Sequence, residues 1–171
     1  MNLKEILSFL KIDKSTPDIE NLASTLWQEV EKNAVKRYRV VPFSVINPPF
    51  KLIGEDIKNH LRGCKEGYLF VATLGSSIDT LIKKTQLKSM RDAVVLDAVA
   101  SSYLESFCDE ICKELNKKLT LRFSPGYGDF PLEIQPYLLK AAGADKIGVS
   151  NLESLMMVPS KTVSAIIGIK E

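Results

Sequence analysis

From Gly67 to Gly75 the chain reads "GYLFVATLG", an unbroken apolar run with glycine at both ends. Its length and its β-branched and aromatic content make it the clearest buried strand in the sequence. What surrounds a buried strand sets the fold class. Before it, Leu3, Ile6, Leu7 and Leu10 recur at helical spacing. Thr16-Pro17 then offers a capping hydroxyl and a first-turn proline, and Ile19, Leu22, Ala23, Leu26, Trp27, Val30 and Ala34 continue an apolar stripe. "YRVVPFSVI" (38–46) reads as a strand whose Pro42 points to a sheet edge or a bulge. "NPPF" breaks the chain at 47–50, and a short helix is expected over 57–61.

After the buried strand, a helix is expected from about Ser76 and a long one over 88–117. Leu104, Phe107, Cys108, Ile111, Cys112 and Leu115 line one side of the long helix. "LTLRFS" (119–124) reads as a strand, 131–142 as a helix, and "LESLMMVPSKTVSAIIGIK" as one or two strands around Pro159. Helices and strands mix without regular βαβ alternation, which predicts an α+β fold with a mainly antiparallel twisted sheet and flanking helices. With no repeat, low-complexity segment or linker, residues 1–171 read as a single domain, with 1–37 its helical N-terminal extension.

A chain of 171 residues suits one compact domain, and 45% hydrophobic with 26% charged residues is ordinary for a soluble globular protein. A net charge of +2 advertises no nucleic-acid surface. The densest basic cluster, Lys36-Arg37-Tyr38-Arg39, reads as a solvated helix end. "MNLKEILSFLKI" does not resemble a signal peptide, and no apolar run approaches the roughly 20 residues that span a bilayer. Three cysteines cannot all pair among themselves, so a reducing cytoplasm is expected.

Several chemistries have little footing. His60 is the sole histidine, which leaves hydroxyl–histidine catalysis and multi-histidine metal sites on one residue; a surface role at a helix end is expected. "CDEIC" sets Cys108 and Cys112 one helical turn apart without further ligands at suitable spacing, so both read as core thiols and no metal site is expected. No Walker loop or dinucleotide fingerprint occurs. "TLGSSIDTLI" leads through Gly75 into a helix start that suits either an anion or an ordinary serine cap.

The segment "RFSPGYGDFPLEIQ" (122–135) is different. Arg122 is expected at a strand end, after which Pro125-Gly126 forces a turn. Tyr127 stands between Gly126 and Gly128, free to project, while bare backbone lets a ligand approach closely. An arginine beside such amides suits a carboxylate ligand. A tight turn with Arg122 paired to Asp129 or Glu133 accounts for the same residues equally well.

Arg-x-x-x-Gly-Tyr, then a proline-led helix, then "ES-x-x-M-x-P-x-x-x-V-S" from Glu153 to Ser164, resembles the reactivation domain of cobalamin-dependent methionine synthase. The match covers roughly 119–169, with a looser echo in "LFVATLGSSIDTLI" and the long helix. In place of the family's usual proline-containing loop, "GYGDFPLEIQ" resembles more the shortened, stand-alone relatives. The resemblance implies reactivation of a separately encoded corrinoid methionine synthase, as an accessory subunit in methionine biosynthesis that is a methyltransferase only in the complex. An electron donor such as flavodoxin or ferredoxin would reduce the cobalt of cob(II)alamin, and S-adenosylmethionine would supply the trapping methyl group. Arg122 would hold the methionine carboxylate, with Pro125, Gly126 and Gly128 around the ligands. Tyr127 would face the cobalt as the catalytic side chain. The family's acid in an aromatic-rich amino-terminal stretch has no counterpart in "MNLKEILSFLKI", and Ile166-Ile167-Gly168-Ile169 stand where adenosyl-contacting aromatics are expected. A corrinoid-binding or chaperone module without S-adenosylmethionine is therefore the alternative. Glu105 and Glu110 are further candidate carboxylates.

Overall fold

A computed structural model describes residues 1–170. Its elements run α1 (Leu3–Leu10), α2 (Pro17–Asn33), β1 (Arg37–Ser44), α3 (Glu55–His60), β2 (Glu66–Thr73), α4 (Ser76–Gln86) and α5 (Met90–Glu114), then α6 (Gln135–Ala142), β3 (Ser150–Asn151), β4 (Met157–Val158) and β5 (Thr162–Gly168). Short 3-10 turns cover Leu132–Ile134 and Ala144–Ile147. The main sheet is antiparallel in the order β1-β2-β5, and β3 and β4 form a separate two-residue pair. This is the expected α+β architecture.

The strand period of two divides β2 and β5 between opposite layers. Phe70, Ala72, Ala165 and Ile167 face a core shared with α1, α2, α4 and α5. Leu69, Val71 and Ile166 face a second core, closed by Ile57, Leu61, Phe130, Ile134 and Leu138. Every one of these residues is buried, which is why β2 carries no polar alternation. Pro42 lies in β1 opposite Tyr68, on an edge strand where its missing N–H leaves no ladder bond unmade in the interior.

Local capping fixes the long helices. Thr16 accepts a hydrogen bond from the Ile19 amide at 3.4 Å, and Ser89 from the Asp92 amide at 3.2 Å. The basic cluster is not a helix end: α2 stops at Asn33 and Arg37–Arg39 belong to β1. Lys36 leans over the Phe107 ring at 5.1 Å and lies 3.8 Å from Glu110. The start of α4 has no serine cap either. Gly75 precedes it at φ +80°, Ser77 donates to the Asn33 carbonyl, and first-turn Asp79 binds the backbone and hydroxyl of Ser160. The first-turn acid is thus engaged by the segment before β5, not by the amides of its own helix start.

The expected strand at 119–124 is replaced by two separate bridges, Leu119 to Ile169 and Phe123 to Ile166. Five residues on one side face four on the other, so the segment carries one residue too many for a continuous ladder. It buckles as a β-bulge does. The Thr120 hydroxyl, rather than a backbone carbonyl, accepts the Gly168 N–H at 2.8 Å.

Candidate active site

Two neighbouring side chains of the buckled segment differ sharply in exposure. Leu121 is 85% exposed, whereas Arg122 turns inward against α5. His60, at the end of α3, holds the geometry. Its Nε2 lies 2.9 Å from the Leu121 carbonyl and 2.8 Å from the Thr120 hydroxyl, and its ring lies 4.8 Å from that of Phe123. The residue expected to be inert surface is a half-buried bracket for the candidate site. Burial, reinforced by Lys170 and opposed by the Leu121 carbonyl, lowers its pKa below the usual histidine value.

Arg122 does not pair with Asp129 or Glu133. Its Nη2 donates to Glu105 and its Nη1 to Asp109, both at 2.7 Å. Glu105 and Asp109 stand four residues apart, so they share one face of α5. Burial works against the Arg122 charge, but the hydrogen bond to Asp109, with that to Glu105, raises its pKa above the ordinary value. It is a cation at any accessible pH. Cys112 Sγ lies 3.8 Å from Nη1. Cys108 is the core thiol expected, and burial pushes its pKa up, but Cys112 is only half-buried and borders the site.

These groups line a cleft of about 620 Å³ beside the first half of β5, where the bulged segment no longer covers the strand. Arg122, Pro125 and Tyr127 border it from one side, and Glu105, Asp109 and Cys112 from α5. Further polar wall comes from Thr120, Ser124, Gln135, Thr162 and Ser164, with Leu121, Met157 and Val163 supplying apolar surface. Gln135 is buried at the start of α6; it donates to the Leu155 carbonyl at 2.5 Å and accepts from Ser164 at 3.4 Å. Two sequence blocks some thirty residues apart therefore meet at one cleft. Glu153 and Ser154 of the second block are exposed and outside the lining. Among the described residues, no group of three or more His, Cys, Asp or Glu side chains is arranged to hold a metal ion.

Gly126 and Gly128 are both exposed, and both also have partners within the protein. Gly126, at φ +92°, donates its N–H to the Phe130 carbonyl at 2.8 Å. Gly128, at φ +54°, lies against Asp56, where a Cβ would overlap Oδ2. Asp129 accepts from the amides of Glu55 and Asp56 at 2.7 and 3.0 Å, while its own N–H donates to Asp56 at 3.2 Å. These two backbone donations hold its carboxyl below the usual range. The loop is thereby pinned to the start of α3, and Tyr127 stands 67% exposed above the cleft.

Asp109 and Gln135 were absent from the sequence reading. Asp109 carried a usable signal, its spacing of four from Glu105; Gln135 carried none, because only the packing of α6 against β5 brings it to the cleft.

No protein-family model matches this sequence, and no curated protein matches it. Among the described residues, no helix is long and apolar enough to cross a membrane. A solved structure similar to this one is the crystal structure of the MetH reactivation domain bound to AdoHcy, with a TM-score of 0.66 and 15% sequence identity. The similarity covers 98% of this chain and 75% of that one. At such identity it is the fold that is shared: the chain has the architecture of the MetH reactivation domain.

Proposed function

We propose that this chain is a reactivation subunit that docks on a separately encoded, corrinoid-carrying methionine synthase and holds S-adenosylmethionine in the cleft for reductive methylation of the partner's cob(II)alamin. The observation that carries the reading is the convergence of Arg122, Pro125 and Tyr127 with Met157, Val163 and Ser164 on one cleft. In this reading residues 1–171 form one reactivation-type domain, with 1–37 its helical extension; Ile6, Ala23 and Val30 of that extension share a core with α5.

The donor set fits the ligand's charges. S-adenosylmethionine combines a carboxylate with an ammonium and a sulfonium, hence a net positive charge. Arg122 faces two acids, so the trio carries an excess of one negative charge. Arg122 holds the carboxylate, Glu105 faces the cationic end, and Gln135, Thr162 and Ser164 offer partners for ribose hydroxyls. Pro125 shapes the cleft wall, while Gly126 and Gly128 set the turn that presents Tyr127 to the corrin. The bound ligand supplies a methyl group; the protein supplies orientation and electrostatics. Flavodoxin or ferredoxin serves as electron donor.

Calorimetric titration of the protein with S-adenosylmethionine, alone and with a cobalamin-loaded partner, tests this. Binding is expected, weakened by about 2–5 kcal/mol in Arg122→Ala, the scale for truncating a desolvated charge partner. Tyr127→Phe is expected to alter the cob(II)alamin spectrum of the complex, and an unchanged spectrum removes the phenol from the cobalt face. A second reading, a corrinoid-capping module without S-adenosylmethionine, is favoured by the two acids already on Arg122 and by fully buried Ile166 and Ile167 where aromatics were expected. Docking of the partner with no heat of ligand binding in either titration selects it.

A further inference from the structure

Both terminal nitrogens of Arg122 carry a carboxylate, although the side chain lines a cleft suited to an amino-acid ligand. A guanidinium engages an incoming carboxylate through a fork that includes at least one terminal nitrogen. The entering group therefore meets a cation that two acids have more than neutralised. The two acids occupy two of its five N–H donors, so the competition is one of charge, and it eases when one acid yields.

The two acids are not equivalent. Glu105 is 34% exposed and Arg122 only 19%, so their pair is shielded from solvent. Asp109 is 60% exposed and lies at the border between the cleft and the neighbouring open groove of Lys113, Asn116 and Lys117. An exposed carboxylate is rehydrated when its ion pair opens, so the pair contributes little and opens easily. Withdrawal of Glu105 would bring a more deeply placed pair apart, at greater desolvation expense.

We infer that Asp109 is a displaceable latch: it covers Arg122 in the empty cleft, and a ligand carboxylate takes its place while Glu105 stays. This rests on the proposed S-adenosylmethionine reading and makes Asp109 a specificity-determining residue of the same cleft. An anionic ligand without a compensating cation is disfavoured by Glu105. A carboxylate-bearing cation gains from both.

Calorimetry on the full chain, with its corrinoid partner present, compares wild type, Asp109→Asn and Asp109→Glu against S-adenosylmethionine and its decarboxylated analogue. Removing the competing charge is expected to tighten S-adenosylmethionine by about two- to fivefold, the worth of an exposed ion pair. The decarboxylated analogue, which has nothing to place on Arg122, gains no affinity in Asp109→Asn. Asp109→Glu restores wild-type binding. Unchanged or weakened S-adenosylmethionine binding in Asp109→Asn, or equal tightening of both ligands, overturns the latch and leaves the ligand assignment standing. Absence of S-adenosylmethionine binding in all three proteins overturns the ligand assignment, and the latch with it.

Discussion

The two faces of the central sheet are covered in different ways. One face lies under α1, α2, α4 and α5, four regular helices whose apolar stripes meet Phe70, Ala72 and Ile167. The other lies under short α3 and α6, two 3-10 turns and the loop that carries Phe130. Both are fully buried layers, so regularity is not what separates core from surface here. The difference lies in where backbone polar groups find partners. Helices satisfy their own interiors and need side chains only at their ends, as from Thr16, Ser89 and Ser77. The irregular face recruits side chains along its loops: Asp129 for the start of α3, His60 for the Leu121 carbonyl, Gln135 for Leu155. Each of those side chains fixes a piece of backbone near the cleft. Helix α5 serves both purposes, burying Leu96 and Val99 in the regular layer while presenting Glu105 and Asp109 to Arg122.

The sharpest contrast comes from matched truncations. Phe70→Ala and Phe130→Ala each remove a fully buried ring, one from each face, and each is expected to destabilise by about 3–5 kcal/mol in denaturant unfolding. Phe130→Ala should in addition weaken the proposed S-adenosylmethionine binding of the folded fraction, because the ring anchors the loop in which the Gly126 amide bonds to the Phe130 carbonyl. A loss well under 1 kcal/mol for Phe130 would show that the irregular layer is not a true core.

The next pair isolates backbone geometry. Both glycines have positive φ, but Gly128→Ala also overlaps Asp56 Oδ2, whereas Gly126→Ala meets Leu132 only at ordinary contact, its Cδ1 at 3.5 Å. Thermal melts should place Gly128→Ala at about 2–3 kcal/mol of destabilisation and Gly126→Ala at about 1 kcal/mol. Equal losses would mean that the Asp56–Asp129 exchange does not hold the loop.

The smallest effect concerns pH. The folded state lowers the His60 pKa, chiefly through burial, so the unfolded chain binds more protons over that interval. Stability is complete above the unfolded value of about 6.5 and declines as pH falls from there toward the lower folded value. Denaturation midpoints at pH 7.5 and 5.5 should differ modestly, and His60→Gln should flatten this part of the difference while its amide can still donate to Leu121. A pH dependence unchanged in His60→Gln would remove this histidine as its source.

Much of the regular face was legible in the residues themselves. Helical spacing marked α1 and α2, the capping hydroxyl of Thr16 marked where α2 begins, and the apolar run marked β2, because local periodicity and capping operate within a few residues of each other. Pro42 pointed correctly to an edge, since proline excludes itself from interior ladders. The misread segments share a cause. Residues 119–124 have strand composition, and the lost ladder depends on a one-residue mismatch with β5, some forty positions away. One of the two readings of Arg122 paired it with Asp129 or Glu133, close in sequence, whereas in the fold it lies against α5 and meets Glu105 and Asp109.

By itself, then, the sequence determined the α+β class, the long helices, the buried strand and the turn at Pro125–Gly128, because each depends on short-range sterics, capping and hydrophobic period. Tertiary structure alone decided that Arg122 meets two acids, that His60 brackets the bulge, and that Gln135 and Ser164 share a cleft wall with Tyr127. Those contacts depend on strand register and on the packing of distant elements, which no local pattern encodes.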